Sequence, residues 1–207
     1  MPYDNRTRAA AARATRATVL AAAHRSFLAN GYAGTTIRGV AEAAGVSPET
    51  IYKRFGGKAG LLKDVYDVAM AGDDEPISIA DRPQAIAVRE ARTPAEAARA
   101  YAALAGWLTA RAGALTSVVL SARGSDPDLD AFVRTIDAER LAGTTFWVTA
   151  WDERGWLRAG LDRDQARDLV WTLISPAVWS LLTERGWTIA RYEQWLGDTL
   201  SATVLAT

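Results

Sequence analysis

The sequence predicts an all-α fold, in which a small N-terminal helical domain precedes a larger helical body. Apolar residues recur at the i, i+3, i+4, i+7 spacing of helices, and no stretch alternates strongly enough to be a strand. Helix starts are marked from Thr93 onward, where Thr93-Pro94-Ala95-Glu96 and Asp162-Arg163-Asp164-Gln165 match the capping-box spacing. At 207 residues, 49% of them hydrophobic, the chain is long enough for one or two domains with their own cores.

The first helix is predicted from about Arg6 to Ala29, and Asn30-Gly31 ends it. Its apolar stripe includes Leu20 and Phe27. The arginines of its first turns either contact phosphate groups or form a solvated helix end, and both interpretations stay open: Arg6, Arg8, Arg13 and Arg16.

Residues 35–55, TTIRGVAEAAGVSPETIYKRF, predict two short helices joined by a tight turn. The hydroxyl of Thr35 or Thr36 can cap the first helix by accepting a bond from a backbone N–H. Gly45 can end that helix, because a residue without a Cβ adopts the left-handed conformation at little cost. Ser47 is then placed to cap the second helix.

The second of these helices has one apolar and one polar face. Ile51 and Phe55 are predicted to point into a core, whereas the polar side chains point away: Thr50, Tyr52, Lys53 and Arg54. Two helices that cross steeply over a short turn containing glycine form a helix-turn-helix unit, whose second helix can lie in the major groove of DNA. An ordinary helical hairpin with a solvated charged face is the alternative.

A fourth helix is predicted over residues 58–71. The preceding Gly56-Gly57-Lys58 lacks the GxxxxGK[ST] spacing of a phosphate loop, so we interpret it as a turn with Lys58 at the helix start. Backbone N–H groups and a cation at that position form a natural phosphate clamp. Gly60 is expected to weaken the first turn of this helix.

The span from Val19 to Tyr66, about a quarter of the chain, resembles the DNA-binding domain of TetR-family transcriptional regulators. The resemblance rests on the end of the first helix and on the segments that follow it: Phe27, Asn30-Gly31, Tyr32, TTIRGVAEAAGVS, TIYKRF, Gly57-Lys58 and Leu61-Leu62.

Matching of positions to the family motif implies two sets of DNA contacts. The residues expected to face bases are Arg38, Pro48, Glu49, Thr50, Lys53 and Arg54. The residues expected to contact phosphates are Thr36, Tyr52 and Lys58.

The net charge of zero hides an asymmetry along the chain. Residues 1–63 contain ten lysines and arginines against three acidic residues, a net charge of +7, and residues 64–207 have a net charge of −7. A basic head on an acidic body is typical of a polyanion-binding module joined to a part that does not bind polyanions.

Composition also excludes several kinds of site. The chain has no cysteine and one histidine, so disulfides, thiolate metal sites and His-rich metal sites are not expected. It has no run of 18 apolar residues and no apolar signal core near its start, which favours a cytoplasmic protein without membrane association. The adjacent Asp73, Asp74 and Glu75 are more typical of a solvated linker than of a metal site, and we expect neither metal nor cofactor.

The predicted domains are residues 1–71, with 58–71 as a connecting helix, and residues 72–207. The prolines at positions 76 and 83 are expected to keep residues 72–93 non-helical. Body helices are then predicted over 94–111, 114–123, 127–153, 163–185 and 189–205, with Pro176 kinking the fourth.

All eight tryptophans lie in this body. Aromatic side chains carry a large apolar area, so they either line a pocket for an apolar or aromatic ligand or fill a core. The candidate ligand-binding residues are Trp107, Phe146, Trp147, Trp151 and Trp171.

The last two predicted helices suggest a homodimer. Residues 168–186, DLVWTLISPAVWSLLTERG, are apolar nearly all round, and a helix of that kind has to be covered on every side. The alternative is a single central core helix, but the TetR resemblance implies dimerisation through the last two helices. The candidate interface residues are Trp171, Val178, Leu182, Tyr192, Trp195, Leu196, Thr199 and Leu200.

Together these features predict a sequence-specific DNA-binding transcriptional regulator, and the expected kind is a repressor that a small-molecule effector relieves. Two heads of a homodimer would bind a palindromic operator in double-stranded DNA, their centres about 34–36 Å apart. A DNA-binding dimer without effector is the alternative. An enzyme is not expected, because the paired carboxylates Asp126/Asp128 and Asp162/Asp164 lie at helix starts, where capping explains them.

Overall fold

The computed structural model describes residues 3–71 and 78–206, with side chains from Thr7 onward. Within these ranges it is built of helices, with an isolated antiparallel bridge between Leu157 and Leu205 and a short 3₁₀ turn at Ile79–Asp81. The all-α class is therefore confirmed. In chain order the helices are α1 (Tyr3–Gly34), α2 (Ile37–Ala44), α3 (Pro48–Phe55), α4 (Lys58–Ala71), α5 (Pro83–Glu90), α6 (Pro94–Ser121), α7 (Pro127–Glu153), α8 (Arg163–Leu173), α9 (Pro176–Glu184) and α10 (Ile189–Thr203).

The described residues form two compact units, and the chain passes between them more than once. The first unit, which we call the head, comprises the chain up to Ala69 together with Val118–Val133. The second, the body, comprises Met70–Ser117 and the chain from Arg134 onward. The predicted division after residue 71 placed 118–133 in the body; the structure instead groups the end of α6 and the start of α7 with the head.

The core of the head is formed by the inward faces of its short helices. Gly31 has a φ of 66° and interrupts α1 at the predicted position. Phe27 stacks on Tyr32 with ring centroids 6.3 Å apart, and Tyr66 meets Phe132 edge-on at 5.4 Å. The fully or nearly fully buried side chains of the head include Val19, Ala23, Phe27, Val40, Ala41, Ile51, Leu61, Leu62, Val65 and Leu129.

The core of the body is built around α6, α7 and α10. Trp151 is 1% exposed and meets Tyr101 edge-on at 5.3 Å, so these two side chains lie at the centre of the core. Asp162 and Gln165 form the predicted capping box at the start of α8. Thr188 caps α10 as predicted, because its hydroxyl accepts from the N–H of Arg191.

Three body helices differ from the prediction. Helix α6 continues through Gly113, because the Trp179 indole packs against the face that a side chain there would occupy. The predicted helix over 163–185 is broken into α8 and α9 rather than kinked, since Ser175 caps α9 and Pro176 takes its first position. Pro83 likewise starts α5 inside the segment that was predicted to be non-helical. The remaining linker carboxylates Asp73, Asp74 and Glu75 lie outside the described residues.

Among the described residues, one helix has the length and apolar composition to cross a membrane, namely α6. The central helices of proteins that never enter a membrane meet the same criterion. Here α6 places Tyr101, Leu104 and Leu115 in the interior of the chain.

Candidate DNA interface

The helix-turn-helix forms where the sequence predicts it, because each of its ends is capped. The hydroxyl of Thr36 accepts from the N–H of Gly39 at 3.1 Å and starts α2. Gly45 ends α2 in the left-handed conformation, with a φ of 67°. Ser47 then caps α3 by accepting from the N–H of Thr50 at 3.3 Å. These caps therefore fix where α2 ends and where α3 begins.

Burial on one face of α3 determines which face is open. Ile51 is fully buried and Phe55 is 7% exposed, whereas Tyr52 on the opposite face is 56% exposed. Lys53 and Arg54 are exposed beside Tyr52. The arrangement presents a phenol and two cations on a short helix that is held rigidly from behind.

The predicted DNA-contacting residues lie on the surface of the head, and two of them are partly covered. Thr36, Arg38, Glu49, Thr50, Tyr52, Lys53 and Arg54 are exposed, and Pro48 and Lys58 are half-buried. Hydrogen bonds from its own backbone N–H and from the Ser47 hydroxyl lower the pKa of the Glu49 carboxyl, so Glu49 is a fixed acceptor at the start of α3.

Helix α3 connects to α4 through a turn that requires glycine. Gly56 and Gly57 have φ values of 75° and 148°, which residues with a Cβ rarely adopt. A Cβ on Gly60 would overlap the carbonyl oxygen of Phe55. Gly60 thus permits the start of α4 to lie directly against the end of α3, a role that its effect on helix propensity did not indicate.

Lys58 is held more tightly than the sequence suggested. Its ammonium group donates to the backbone carbonyl of Tyr32 at 2.9 Å and lies 4.3 Å from the centre of the Tyr32 ring. An ammonium group has three donors, so this bond leaves capacity for a phosphate. Lys58 therefore joins the end of α1 to the start of α4 as well as supplying charge there.

A contact within the head that sequence reasoning missed involves Tyr32 and Asp126. The Tyr32 hydroxyl donates to the Asp126 carboxylate at 2.8 Å, across 94 positions of sequence. The other carboxylate oxygen accepts from the N–H groups of Asp128 and Leu129, which is the predicted cap of α7. The hydrogen bond from Tyr32 is the main cause of a lowered pKa of Asp126, and burial with this acceptor raises the pKa of Tyr32.

The five candidate ligand-binding residues lie in different environments within the body. Trp151 fills the core, and Phe146 is 57% exposed, so neither is placed to line an enclosed pocket. Trp147 packs edge-on against Phe146, and the guanidinium of Arg111 lies over Trp107. Trp171 is half-buried, and its indole N–H is buried without a hydrogen-bond partner among the described residues.

The body also contains an open groove of about 470 Å³ that none of the five candidates lines. Its walls come from α5, the following turn and the first turns of α6. The lining residues are Ala87, Glu90, Ala91, Glu96, Arg99 and Ala100.

Three of the predicted dimer-interface residues are interior residues of this chain. Tyr192 is 1% exposed, and Leu196 and Leu200 are fully buried. The apolar stripe of α10 thus covers the core of its own body rather than a partner subunit. The other candidates are half-buried: Trp171, Val178, Leu182, Trp195 and Thr199.

Comparison with known proteins agrees with this geometry. Residues 19–65 match the family model described as bacterial regulatory proteins, tetR family. The chain is similar in structure to FadR from Bacillus subtilis, solved in complex with stearoyl-CoA, with a TM-score of 0.69, 22% identity and coverage of 88% of this chain and 96% of that chain. It is also similar to a TetR transcriptional regulator from Chloroflexus aurantiacus, with a TM-score of 0.67, 20% identity and coverage of 94% and 98%. No curated protein sequence matches the chain.

The capped helix-turn-helix with an open polar face on its second helix defines a DNA-binding regulator. The family match covers that same part of the chain. Residues 19–65 therefore form a DNA-binding domain of the TetR type, and the chain as a whole shares the fold of the transcriptional regulators to which it is similar.

Proposed function

We propose that the protein acts as a homodimeric repressor of a palindromic operator, and that a small apolar or aromatic ligand in the body releases it from DNA. The open face of α3, fixed by the buried Ile51 and Phe55 behind it, is the observation that carries the DNA-binding part of this proposal. This proposal also implies a cytoplasmic protein, because the operator would lie in the cytoplasm.

The exposed face carries two sets of residues, which are proposed to make two kinds of DNA contact. Arg38 and Arg54 have the guanidinium fork that pairs with guanine, and Lys53 and Glu49 can read neighbouring base edges. Thr50 and Pro48 lie at the start of α3, close to any base that this helix approaches. Thr36, Tyr52 and Lys58 are the proposed phosphate contacts, which position the head without reading sequence.

Selection of duplexes from a random pool by the purified protein, at near-physiological salt, tests the operator proposal. We expect a palindrome whose half-sites are about one helical turn apart. Recovery of a single half-site would contradict a symmetric dimer. Failure of the folded protein to enrich any motif would contradict sequence-specific binding.

The second copy is proposed to cover α9. None of its nine residues is buried, although it is one of the most apolar helices of the chain, and Leu181 is 64% exposed. Leu169 of α8 is also 40% exposed. Exposed apolar area of this kind is typical of a subunit interface. The proposed interface therefore lies on α9 rather than on the inner stripe of α10, with Trp171, Trp195 and Thr199 at its edges.

The molar mass in solution tests this interface. We expect Leu181→Glu to convert the dimer into monomer, because it places a charge in an apolar contact. The matched control is Thr183→Glu, which adds the same charge to an exposed position two residues further along the helix, on its other side. A Leu181→Glu protein that remains dimeric would contradict the proposed interface.

The effector proposal rests on the half-buried tryptophans Trp107, Trp147 and Trp171. The unpaired indole N–H of Trp171 supports it, because a buried donor without an acceptor has a cost that a ligand acceptor would remove. The alternative, a DNA-binding dimer without effector, is favoured by the close packing of Trp151 on Tyr101 at the centre of the body.

Stearoyl-CoA is a suitable first probe, because it is the ligand of the structurally similar FadR from Bacillus subtilis. We expect an apolar ligand of the body to change the tryptophan fluorescence and to lower affinity for the selected operator. Free coenzyme A is the matched control without an acyl chain. If stearoyl-CoA and a panel of aromatic compounds leave both signals unchanged, the alternative without effector is favoured.

A further inference from the structure

Tyr32 joins the start of α4 to a carboxylate, so that three charged or dipolar groups of the head lie around this residue. The N–H groups of the first helical turn have no intrahelical acceptor and make this end of the helix partly positive. The ammonium group of Lys58, the first residue of α4, adds a full positive charge. The third group is the Asp126 carboxylate, which approaches from the turn between α6 and α7 through its bond with Tyr32.

Tyr32 connects the two opposite charges. Its backbone carbonyl accepts from Lys58 at 2.9 Å, and its hydroxyl donates to Asp126 at 2.8 Å. The Tyr32 hydrogen bond is the largest cause of the lowered pKa of Asp126, and the positive charge of Lys58 adds to it, so the two charges interact. Asp126 is therefore ionised at neutral pH beside the group that is proposed to contact DNA phosphate.

We propose that the Asp126 carboxylate is an internal competitor of DNA phosphate at the start of α4, and that it lowers the affinity of the head for DNA. This inference rests on the proposed phosphate contact of Lys58. A carboxylate that interacts with the ammonium group offsets part of the attraction that this group has for a phosphate.

The helix cap does not require this charge. Asparagine caps a helix about as well as aspartate does, and its side-chain oxygen can still accept from the N–H groups of Asp128 and Leu129. Its amide can also remain paired with the Tyr32 hydroxyl, which both donates and accepts. Asp126→Asn therefore removes the charge with little change of shape.

The test measures binding of the full chain to the selected operator and to a random-sequence duplex across a range of salt concentrations. We expect Asp126→Asn to bind both duplexes more tightly, by up to about fivefold per head, which is the effect of one unit charge at about 4 Å in water. We also expect affinity to fall more steeply with salt. The slope of the logarithm of the binding constant against the logarithm of the salt concentration should steepen by up to about 0.9 for each additional phosphate that the head neutralises. Asp128→Asn is the matched control, because it removes the same charge from an exposed side chain of the same turn.

A double-mutant cycle identifies the partner of the carboxylate. The increase in affinity from Asp126→Asn should disappear in a Lys58→Ala background, because the competition requires the ammonium group. An unchanged or weaker affinity of Asp126→Asn, an equal increase from Asp128→Asn, or an increase that persists without Lys58 would each overturn the inference. If Asp126→Asn does not fold, Asp126→Ser decides instead, because serine also caps a helix and carries no charge. Tighter binding by that variant supports the competition, and unchanged or weaker binding rejects it. Failure of the wild-type chain to bind either duplex would instead overturn the proposed function.

Discussion

The carbonyl oxygen of Phe55 occupies the space into which a Cβ of Gly60 would project. The backbone around the turn from α3 to α4 fixes the positions of both atoms, so neither can move away by a change of rotamer. The orientation of the recognition helix is therefore linked to the absence of a side chain at position 60.

We expect Gly60→Ala to destabilise the protein by about 1–3 kcal/mol, the usual cost of forcing extra volume into a packed site. The helical Gly143 is the matched control, since a Cβ there meets nothing within 4 Å. Gly143→Ala should be neutral or stabilising by up to about 1 kcal/mol, because alanine favours a helix interior. Urea unfolding compares the two, and equal stabilities of both variants would contradict the steric argument.

The cap of α3 should affect DNA binding as well as stability. Ser47→Ala removes the acceptor for the N–H of Thr50 and is expected to cost about 1 kcal/mol of stability. Thr188→Ala removes the equivalent cap of α10 and should cost a similar amount without weakening DNA binding. Thermal unfolding and operator titration separate the effects. A loss of DNA affinity in both variants would show that general destabilisation, rather than the cap of α3, is responsible.

Base reading and phosphate contact predict different changes in specificity. Arg54→Ala should cost about 1–3 kcal/mol at the selected operator and relax the preference at one base. Tyr52→Phe should weaken the operator and the random duplex alike. Competition binding against single-base operator variants measures both, with the exposed Arg92 of the body as the control for loss of an arginine. Unaltered affinity in both head variants would refute the assignment of the α3 face.

Burial raises the pKa of Tyr101 to about 12, and this predicts a loss of stability in alkali. Because an unfolded tyrosine ionises near pH 10, the folded state holds more protons between about pH 10 and pH 12. The contribution is full below about pH 10 and is lost as the pH rises through the folded value. Urea unfolding from pH 9 to pH 12 should show a shallower decline for Tyr101→Phe than for the wild type. Parallel declines would contradict this account.

The head could be predicted from sequence because local signals determine it. Caps at Thr36 and Ser47 and a left-handed Gly45 specify two helices and the turn between them. Such signals act over three or four residues, so they are legible without knowledge of the rest of the fold. The resemblance to a known family rests on the same residues.

The features that sequence did not predict depend on distant partners. The periodicity of α10 identified an apolar face through Tyr192 and Leu196, but periodicity cannot say whether the same chain or a second one covers it. The predicted break between 94–111 and 114–123 was wrong, because α6 continues through Gly113, where Trp179 lies against the face that has no side chain. The pairing of Tyr32 with Asp126 joins residues 94 positions apart, and no local pattern indicates it.

The inclusion of residues 118–133 in the head limits how such proteins can exchange parts. Consider a hybrid of two related proteins made by a single crossover near residue 71. Its recognition helix would come from one parent and its α6–α7 turn from the other. The recombinant would keep Tyr32 and receive an unrelated residue in place of Asp126. Functional hybrids therefore need three crossovers, after residues 69, 117 and 133, or parents that already agree at this turn. Operator specificity and ligand specificity are thus inherited less independently than a head-and-body sequence order implies.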